Sequence, residues 1–389
     1  MKDHAEQVVY LDHAATSWPK PQAVIDAVHE AMMHDGANPG RGSHRMAVQA
    51  SRTVFEARKQ VAKLLRVGNP NDIAFAFNTT GALNLAIKGL LRAGDHAIAT
   101  AVEHNSVRRP LEYLKRTLGI DVTYIEADEE GGIEPSQVEA ALRPNTRLVV
   151  VNHSSNLLGS ILPVEAIGEI TRRRGVRLLV DAAQSAGILP IDAEAMGIDL
   201  LAFPGHKGLL GPQGTGGLYI HPDVELEPLL HGGTGSQSEA IEQPNVRPDR
   251  YESGTLNTQG LAGLAAGVRY VLHETVEKIH NKEWTLSQRL MDGLLSIEGI
   301  RLLGPRLGAP RTGIVSFIVG SADPSETAFI LDQHYGIAVR SGFHCTPLAH
   351  ACAGTTMTGA VRASVGWNTK ESDVDALVEA VREIKKHYE

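Results

Sequence analysis

The feature that most constrains this chain is an alternation between about residues 70 and 220, where short apolar, often β-branched runs take turns with helical patterns. The runs 73–77, 96–100, 122–125, 147–152, 177–181 and 200–203 read as strands. Between them Leu83, Ile87, Leu90 and Leu91 fall at helical spacing, and 163–174 reads as another helix. Strand–helix–strand repetition of this kind predicts an α/β fold around a mostly parallel sheet.

The flanks read differently. Pro21 opens a helix with Val24, Val28 and Met32 on one face, and a second helix carries Val54, Ala57, Val61 and Leu64 on one stripe. Residues 221–257 are rich in Gly, Pro, Gln and Asn and read as extended loops. A long helical pattern follows 258, then strands at 313–319 and 337–340 and a closing helix at 373–387. A chain of 389 residues has room for two domains. The expected division is a large domain at 21–257 and a smaller one at 258–389, with residues 1–20 returning to pack on the smaller.

Composition removes some classes of function. Lys and Arg number 37 against 45 Asp and Glu, a formal charge of -8, which argues against a broad nucleic-acid or anionic-membrane surface. No apolar stretch approaches the roughly 18 residues that span a bilayer. The opening MKDHAEQVVY lacks the basic-then-apolar layout of a secretory signal, so a cytoplasmic location is expected. The two cysteines, Cys345 and Cys352, are too few for a disulfide framework and raise a question of reactivity instead.

Four segments carry chemistry. Lys207 sits in the glycine-rich loop 204–214, just past a strand end, where ligands of open α/β sheets bind. A desolvated lysine amine there condenses with carbonyls, although a loop lysine is also an ordinary surface residue. Asp181 ends another strand and offers an acceptor to a ligand, or a helix N-cap. Asn78-Thr79-Thr80-Gly81 joins a strand to a helix, whose free amides and hydroxyls suit a phosphate, or a simple cap. His104, after the strand 96–100, offers a flat ring for stacking or proton relay, or fills a loop.

Taken in order, these segments resemble the class-V aminotransferase group of pyridoxal-phosphate enzymes, and within it the cysteine desulfurase and selenocysteine lyase family. The resemblance runs from Tyr10-Leu11-Asp12-His13-Ala14-Ala15-Thr16 to Val361-Arg362-Ala363-Ser364. It implies the pyridoxal-phosphate transferase fold type I: a large domain with a mostly parallel seven-stranded sheet, and a smaller α+β C-terminal domain. It also implies a homodimer. By resemblance Lys207 is the Schiff-base lysine, Asp181 meets the pyridine nitrogen, Gln184 the phenolic oxygen, and His104 stacks on the ring. Thr79, Thr80, Gly81 and His206 belong to the phosphate site, and Thr255, in Glu252-Ser253-Gly254-Thr255, acts across the dimer. Asn156 and Arg362 meet the substrate carboxylate, while His44 and Arg340 line the active site. One departure is Pro204, where the family commonly has a hydroxyl residue two before the loop histidine.

Arg340-Ser341-Gly342-Phe343-His344-Cys345 resembles the family's catalytic-cysteine loop in its compact form, with Phe343 departing from the usual histidine. A thiolate at Cys345 suits attack on a substrate sulfur. Arg340 and His344 stand beside it to lower the thiol pKa or donate protons. The implied reaction takes L-cysteine to L-alanine and leaves the sulfur on Cys345 as a persulfide for a protein or small acceptor. Other readings stay open. Cys345 is dispensable in a selenocysteine lyase acting on L-selenocysteine, and a transaminase or epimerase would share the cofactor site. His344, Cys345, His350 and Cys352 lie close in sequence but lack a Cys-x-x-Cys pair, so no metal site is expected. A dehydrogenase is disfavoured by the absence of a Gly-x-Gly-x-x-Gly turn, and a non-catalytic sulfur-carrier binding protein would not need Lys207.

Overall fold

A computed structural model describes residues 8–40 and 42–388. The first seven residues of the expected N-terminal segment, and Arg41 beside the His44 string, lie outside the described residues. The chain begins with β1 (Val9–Tyr10), α1 (Gln22–His34) and α2 (Arg45–Leu64). Alternation then sets in: β2 (Ile73–Ala76), α3 (Thr79–Leu90), β3 (His96–Thr100), α4 (Asn105–Leu118), β4 (Asp121–Ile125), α5 (Pro135–Ala141), β5 (Thr146–Asn152), α6 (Val164–Arg174) and β6 (Arg177–Asp181). Strands β7 (Leu200–Pro204) and β8 (Gly216–Ile220) complete this sheet. After the long loop region come α7 (Thr258–Glu274), α8 (Val276–Leu295), β9 (Ile300–Leu303), β10 (Ile314–Val319), α9 (Pro324–Tyr335), β11 (Ile337–Ala338) and β12 (Arg340–Gly342). Short α10 (Pro347–Cys352), β13 (Ala360–Ser364) and α11 (Glu371–Lys386) close the chain.

The seven-stranded sheet has the order β2-β8-β7-β6-β5-β3-β4. Only the pairings of β8 are antiparallel, so the sheet is mostly parallel, as the alternation predicts. Strand order reverses around β3, with β4 on one side and β5 on the other. That reversal opens a crevice at the carboxyl ends of the strands, where ligands of such sheets bind. Both faces are covered: one apolar core runs along Val149, Val151, Leu178 and Val180, another along Leu148, Val150 and Leu179. A smaller antiparallel sheet, β12-β13-β10-β9, packs its own core with α8, α9 and α11. The N-terminal strand β1 pairs in parallel with β11, and Asp12 bridges to Ser364. Among the described residues no helix is long and apolar enough to cross a membrane.

Two local readings need correction. Strand β8 falls between the expected loops 204–214 and 221–257, where no strand is expected, yet all five of its residues are buried. A Cβ on Gly217 would lie 2.6 Å from Phe203 Cζ and 2.8 Å from the Ala74 carbonyl, so only glycine lets both neighbouring strands approach. On α1, Met32 is 65% exposed, and the buried stripe is Val24 and Ala31 with Val28 beside them. At 3.6 residues per turn, seven positions return to within about 20° of Val24, whereas eight overshoot by about 80°.

A buried ion pair ties the loop region to the sheet. Arg58 on α2 meets Glu252 with two bonds of 2.7 and 2.8 Å, and Glu252 also accepts the Phe75 amide at 2.6 Å. Both side chains are 4% exposed. Removing one partner strands an uncompensated charge, so Glu252→Ala is expected to lower stability by about 3–5 kcal/mol in denaturant unfolding.

Candidate active site

Lys207 lies in the loop after β7, whose backbone is fixed by Gly205 N–H to the Thr215 carbonyl at 2.8 Å and Gly211 N–H to the Gly205 carbonyl at 2.7 Å. The N-terminal segment grips the same loop from outside. The His206 carbonyl accepts from the Ser17 amide (3.0 Å), the Ser17 hydroxyl (3.0 Å) and Lys20 Nζ (2.9 Å). Burial, then Arg362 and Arg340, pushes the Lys207 amine down to about 8 against the pull of Asp181 and Asp12. The amine is therefore a usable nucleophile near neutral pH.

A cavity of about 130 Å³ opens over it at the strand ends. Thr79, Thr80, His104, Asn156, Asp181 and Gln184 line it together with His206 and Lys207. Asp181, at the end of β6, is buried, and burial raises its carboxyl to about 6 while the Ala183 amide (2.9 Å) and Lys207 oppose the rise. His104 caps α4: its Nδ1 accepts the Ser106 amide at 3.0 Å, which leaves the ring proton on Nε2. Burial, with Lys207 next, lowers its pKa to about 4, so the ring is neutral at pH 7. His206 is held down to about 4 by the same two causes, burial first. Gln184 reaches back to donate to the Ala14 carbonyl at 3.1 Å.

Arg362 on β13 is 2% exposed. It donates to Asp12 Oδ1 and to the Asn156 carbonyl, both at 2.9 Å. Its Nε, and Oδ1 of Asn156, are buried without a partner among the described residues. Unpaired buried groups of this kind are costly unless something binds them. The Asn156 Nδ2 donates instead to the His344 carbonyl at 2.6 Å. The Asn105 amide donates to the Cys345 carbonyl at 2.8 Å. These two bonds hold the cysteine loop next to the His104 turn. His344 and Cys345 are both left-handed, at φ 48° and 60°, a conformation that costs L-residues free energy and needs such clamps. Cys345 itself is exposed. Arg340, also exposed, stands opposite Arg362 in the β12–β13 register.

Other expected residues fall elsewhere. The Gly81 amide is taken by the Asn78 side chain at 2.9 Å, and Gly81 lines a neighbouring groove with Phe77 and Thr255. His44 is exposed and caps α2, outside the cavity of its own chain. Among the described residues no three His, Cys, Asp or Glu side chains come together to hold a metal ion. His350 bonds Thr355 at 2.7 Å, and His344 Nε2 faces the Ala360 carbonyl at 3.1 Å. Pro204 lines the cavity with no donor to offer, while Ser106, not among the expected residues, adds a hydroxyl bonded to Thr80 at 2.8 Å. Asp12, the partner of Arg362, is likewise unexpected. The spacing His-x-Ser at a helix start marks Ser106 as a cap partner; nothing local marks Asp12.

Strand order, crevice, lysine loop and smaller antiparallel sheet together define the fold type I of pyridoxal-phosphate enzymes. The family model for aminotransferase class V matches residues 9–377. A probable cysteine desulfurase of Methanothermobacter thermautotrophicus is 39% identical, over 99% of this chain and 95% of the relative. The apo structure of a cysteine desulfurase from Thermococcus onnurineus NA1 superposes with a TM-score of 0.93 at 36% identity, covering 98% of this chain and 96% of the other. The cysteine desulfurase CsdA of Escherichia coli, in an S-sulfonic acid form, gives 0.89 at 26% identity over 99% and 96%. The chain belongs to the class-V aminotransferase family, and within it to the cysteine desulfurases.

Proposed function

We propose that this protein uses pyridoxal phosphate to convert L-cysteine to L-alanine, passing the sulfur to Cys345 as a persulfide. The observation that carries the reading is a depressed lysine amine and a buried carboxylate in one cavity, beside a clamped cysteine loop. The residues fit the cofactor and its substrate. Lys207 supplies the amine for a carbonyl, Asp181 an acceptor for a ring N–H, and His104 a neutral ring to cover one face. Thr79, Thr80 and His206 are suited to the phosphate, with Thr255 contributed by the second copy of a homodimer. The division into a large unit at 21–257 and a smaller one at 258–389 belongs to the same reading.

When bound, the cofactor serves as an electron sink for the pair left on the substrate's α-carbon. The chain's own groups do the rest. Arg362 Nε and Asn156 Oδ1 are the unpaired atoms at the substrate end; the guanidinium grips the carboxylate and fixes which bond faces the cofactor. Lys207 Nζ takes the α-proton and returns protons to carbon. Asp181 holds the proton on the ring nitrogen. Cys345 Sγ, as thiolate, attacks the substrate sulfur: an S–S bond forms, the C–S bond breaks, and its electron pair stays with carbon, where a proton is added.

The test is product analysis with cofactor and L-cysteine. Equimolar alanine and reducible sulfur on the protein are expected. A keto acid formed only with an amino acceptor would establish a transaminase instead, and activity confined to L-selenocysteine would establish a lyase. The amine gives a separate expectation with no turnover involved. Only unprotonated Lys207 adds to a carbonyl, and its fraction falls about tenfold per pH unit below the pKa. Cofactor capture by the apoprotein, followed by absorbance, should quicken from pH 6 and level near pH 8. Quickening that continues to pH 10 would mean an ordinary, solvated lysine.

A further inference from the structure

A second cavity, of about 40 Å³, shares Lys207 and Gln184 with the first as its wall. One water needs about 10–15 Å³ of such space, so the cavity has room for roughly three or four. Its other polar lining includes His13, Ser17 and Glu283. His13 is 8% exposed, and among the described residues neither buried ring nitrogen makes a hydrogen bond of normal geometry, although the Tyr10 backbone lies near enough to raise its pKa against the effect of burial. The imidazole packs flat on the chain at Gly366, where a Cβ would lie 2.3 Å from Nδ1, and edge-on to Tyr10, with ring centres 5.0 Å apart. Glu283, from the buried face of α8, is 5% exposed. Two buried titratable side chains thus meet at a water-sized space against the lysine, and the proposed reaction uses neither.

We propose that water in this cavity joins Lys207 Nζ to His13 and Glu283, forming a proton store that exchanges with the amine during turnover. This rests on the reading of Lys207 as the group that moves the α-proton. The transfer involves protons alone. The proton taken from carbon enters Nζ, one of the Nζ protons passes through cavity water to an imidazole nitrogen, and the Glu283 carboxyl gives one back to Nζ through the same water. The hydrogen that Lys207 returns to carbon is then not the one it removed. Burial suits the two side chains to opposite parts. It raises the Glu283 carboxyl to about 8, keeping it a donor near neutrality, and lowers His13 to about 4, keeping a free lone pair. Lys20 and Lys282 are the cations acting on His13, Lys282 also acts on Glu283, and Arg362, Arg340, Asp181 and Asp12 act on Lys207. Among the described residues, no carboxylate other than Glu283 lines the cavity to trap the proton.

The holoenzyme is given L-cysteine deuterated at the α-carbon, in ordinary water, and the deuterium in the alanine is measured by mass spectrometry. Wild type should wash most of the label out, while Glu283→Gln and His13→Phe should retain several-fold more. Equal retention in wild type and both variants overturns the proposal. If wild type forms no alanine, the reading of the function fails instead, and a second measurement still decides the store. A high-resolution crystal structure of the cofactor-free protein should show ordered water within hydrogen-bond distance of His13 and Lys207. A dry cavity overturns it.

Discussion

Replacing Lys207 with alanine should abolish the visible absorbance that develops on adding pyridoxal phosphate, and lower alanine formation by roughly a hundred- to ten-thousand-fold, the range for a positioned proton-transfer group. The protein should remain folded. A lysine whose pKa falls below its unfolded value of 10.5 is one whose charged form the fold disfavours, so at neutral pH its removal relieves a cost. Thermal unfolding of the variant should therefore show a melting temperature no lower than wild type. Lys207→Arg separates charge from chemistry, because a guanidinium keeps the charge and offers no free amine. A Lys207→Ala protein that still forms the coloured complex and turns over cysteine would remove the basis of the functional reading.

Cys345→Ala should lose turnover but keep the cofactor. Cofactor absorbance persists, since Cys345 does not line the cavity around Lys207. Cysteine should still perturb that absorbance, but alanine formation should fall roughly a hundredfold or more, the scale at which a positioned reactive group contributes. The loop is held through the carbonyls of His344 and Cys345, by Asn156 and Asn105, and not through the thiol. Alanine also keeps the same Cβ at the left-handed φ, so the substitution removes sulfur and little else. With L-selenocysteine the loss should be smaller, because selenium leaves carbon more readily. Full activity on L-cysteine would show that the thiol is a bystander.

Much of the fold was legible because its strands are apolar runs with unmistakable ends. Strands β3 and β6 have the bounds that pattern alone suggests, 96–100 and 177–181. Lys207, Asp181, His104 and Thr80 could be picked out for a related reason: each follows such a run, and a parallel sheet delivers all its strand ends to one edge. Strand β8 was illegible because its glycines answer to neighbours far away in sequence, Phe203 and Ala74. Asp12 was missed for the same kind of reason, since its partner is 350 positions on. His13 and Glu283 share a cavity only because α8 and the N-terminal segment fold over the same loop. Local pattern finds residues that act from strand ends; it does not find those that a distant segment brings in.

The ion pair between Asp12 and Arg362 has a consequence in time. The proposed substrate anchor needs residue 12, the carbonyl of Asn156 and residue 362 together, and β13 must pair with β10 before Arg362 points inward. The ribosome supplies residue 362 some 350 positions after residue 12. A growing chain can shape its large sheet and its lysine loop early, yet on the proposed reading it has no grip on an amino acid until β13 is made. Synthesis thus delivers the lysine pocket first and the proposed substrate hold later, and a chain stopped before β13 would have no anchored cysteine from which to release sulfur.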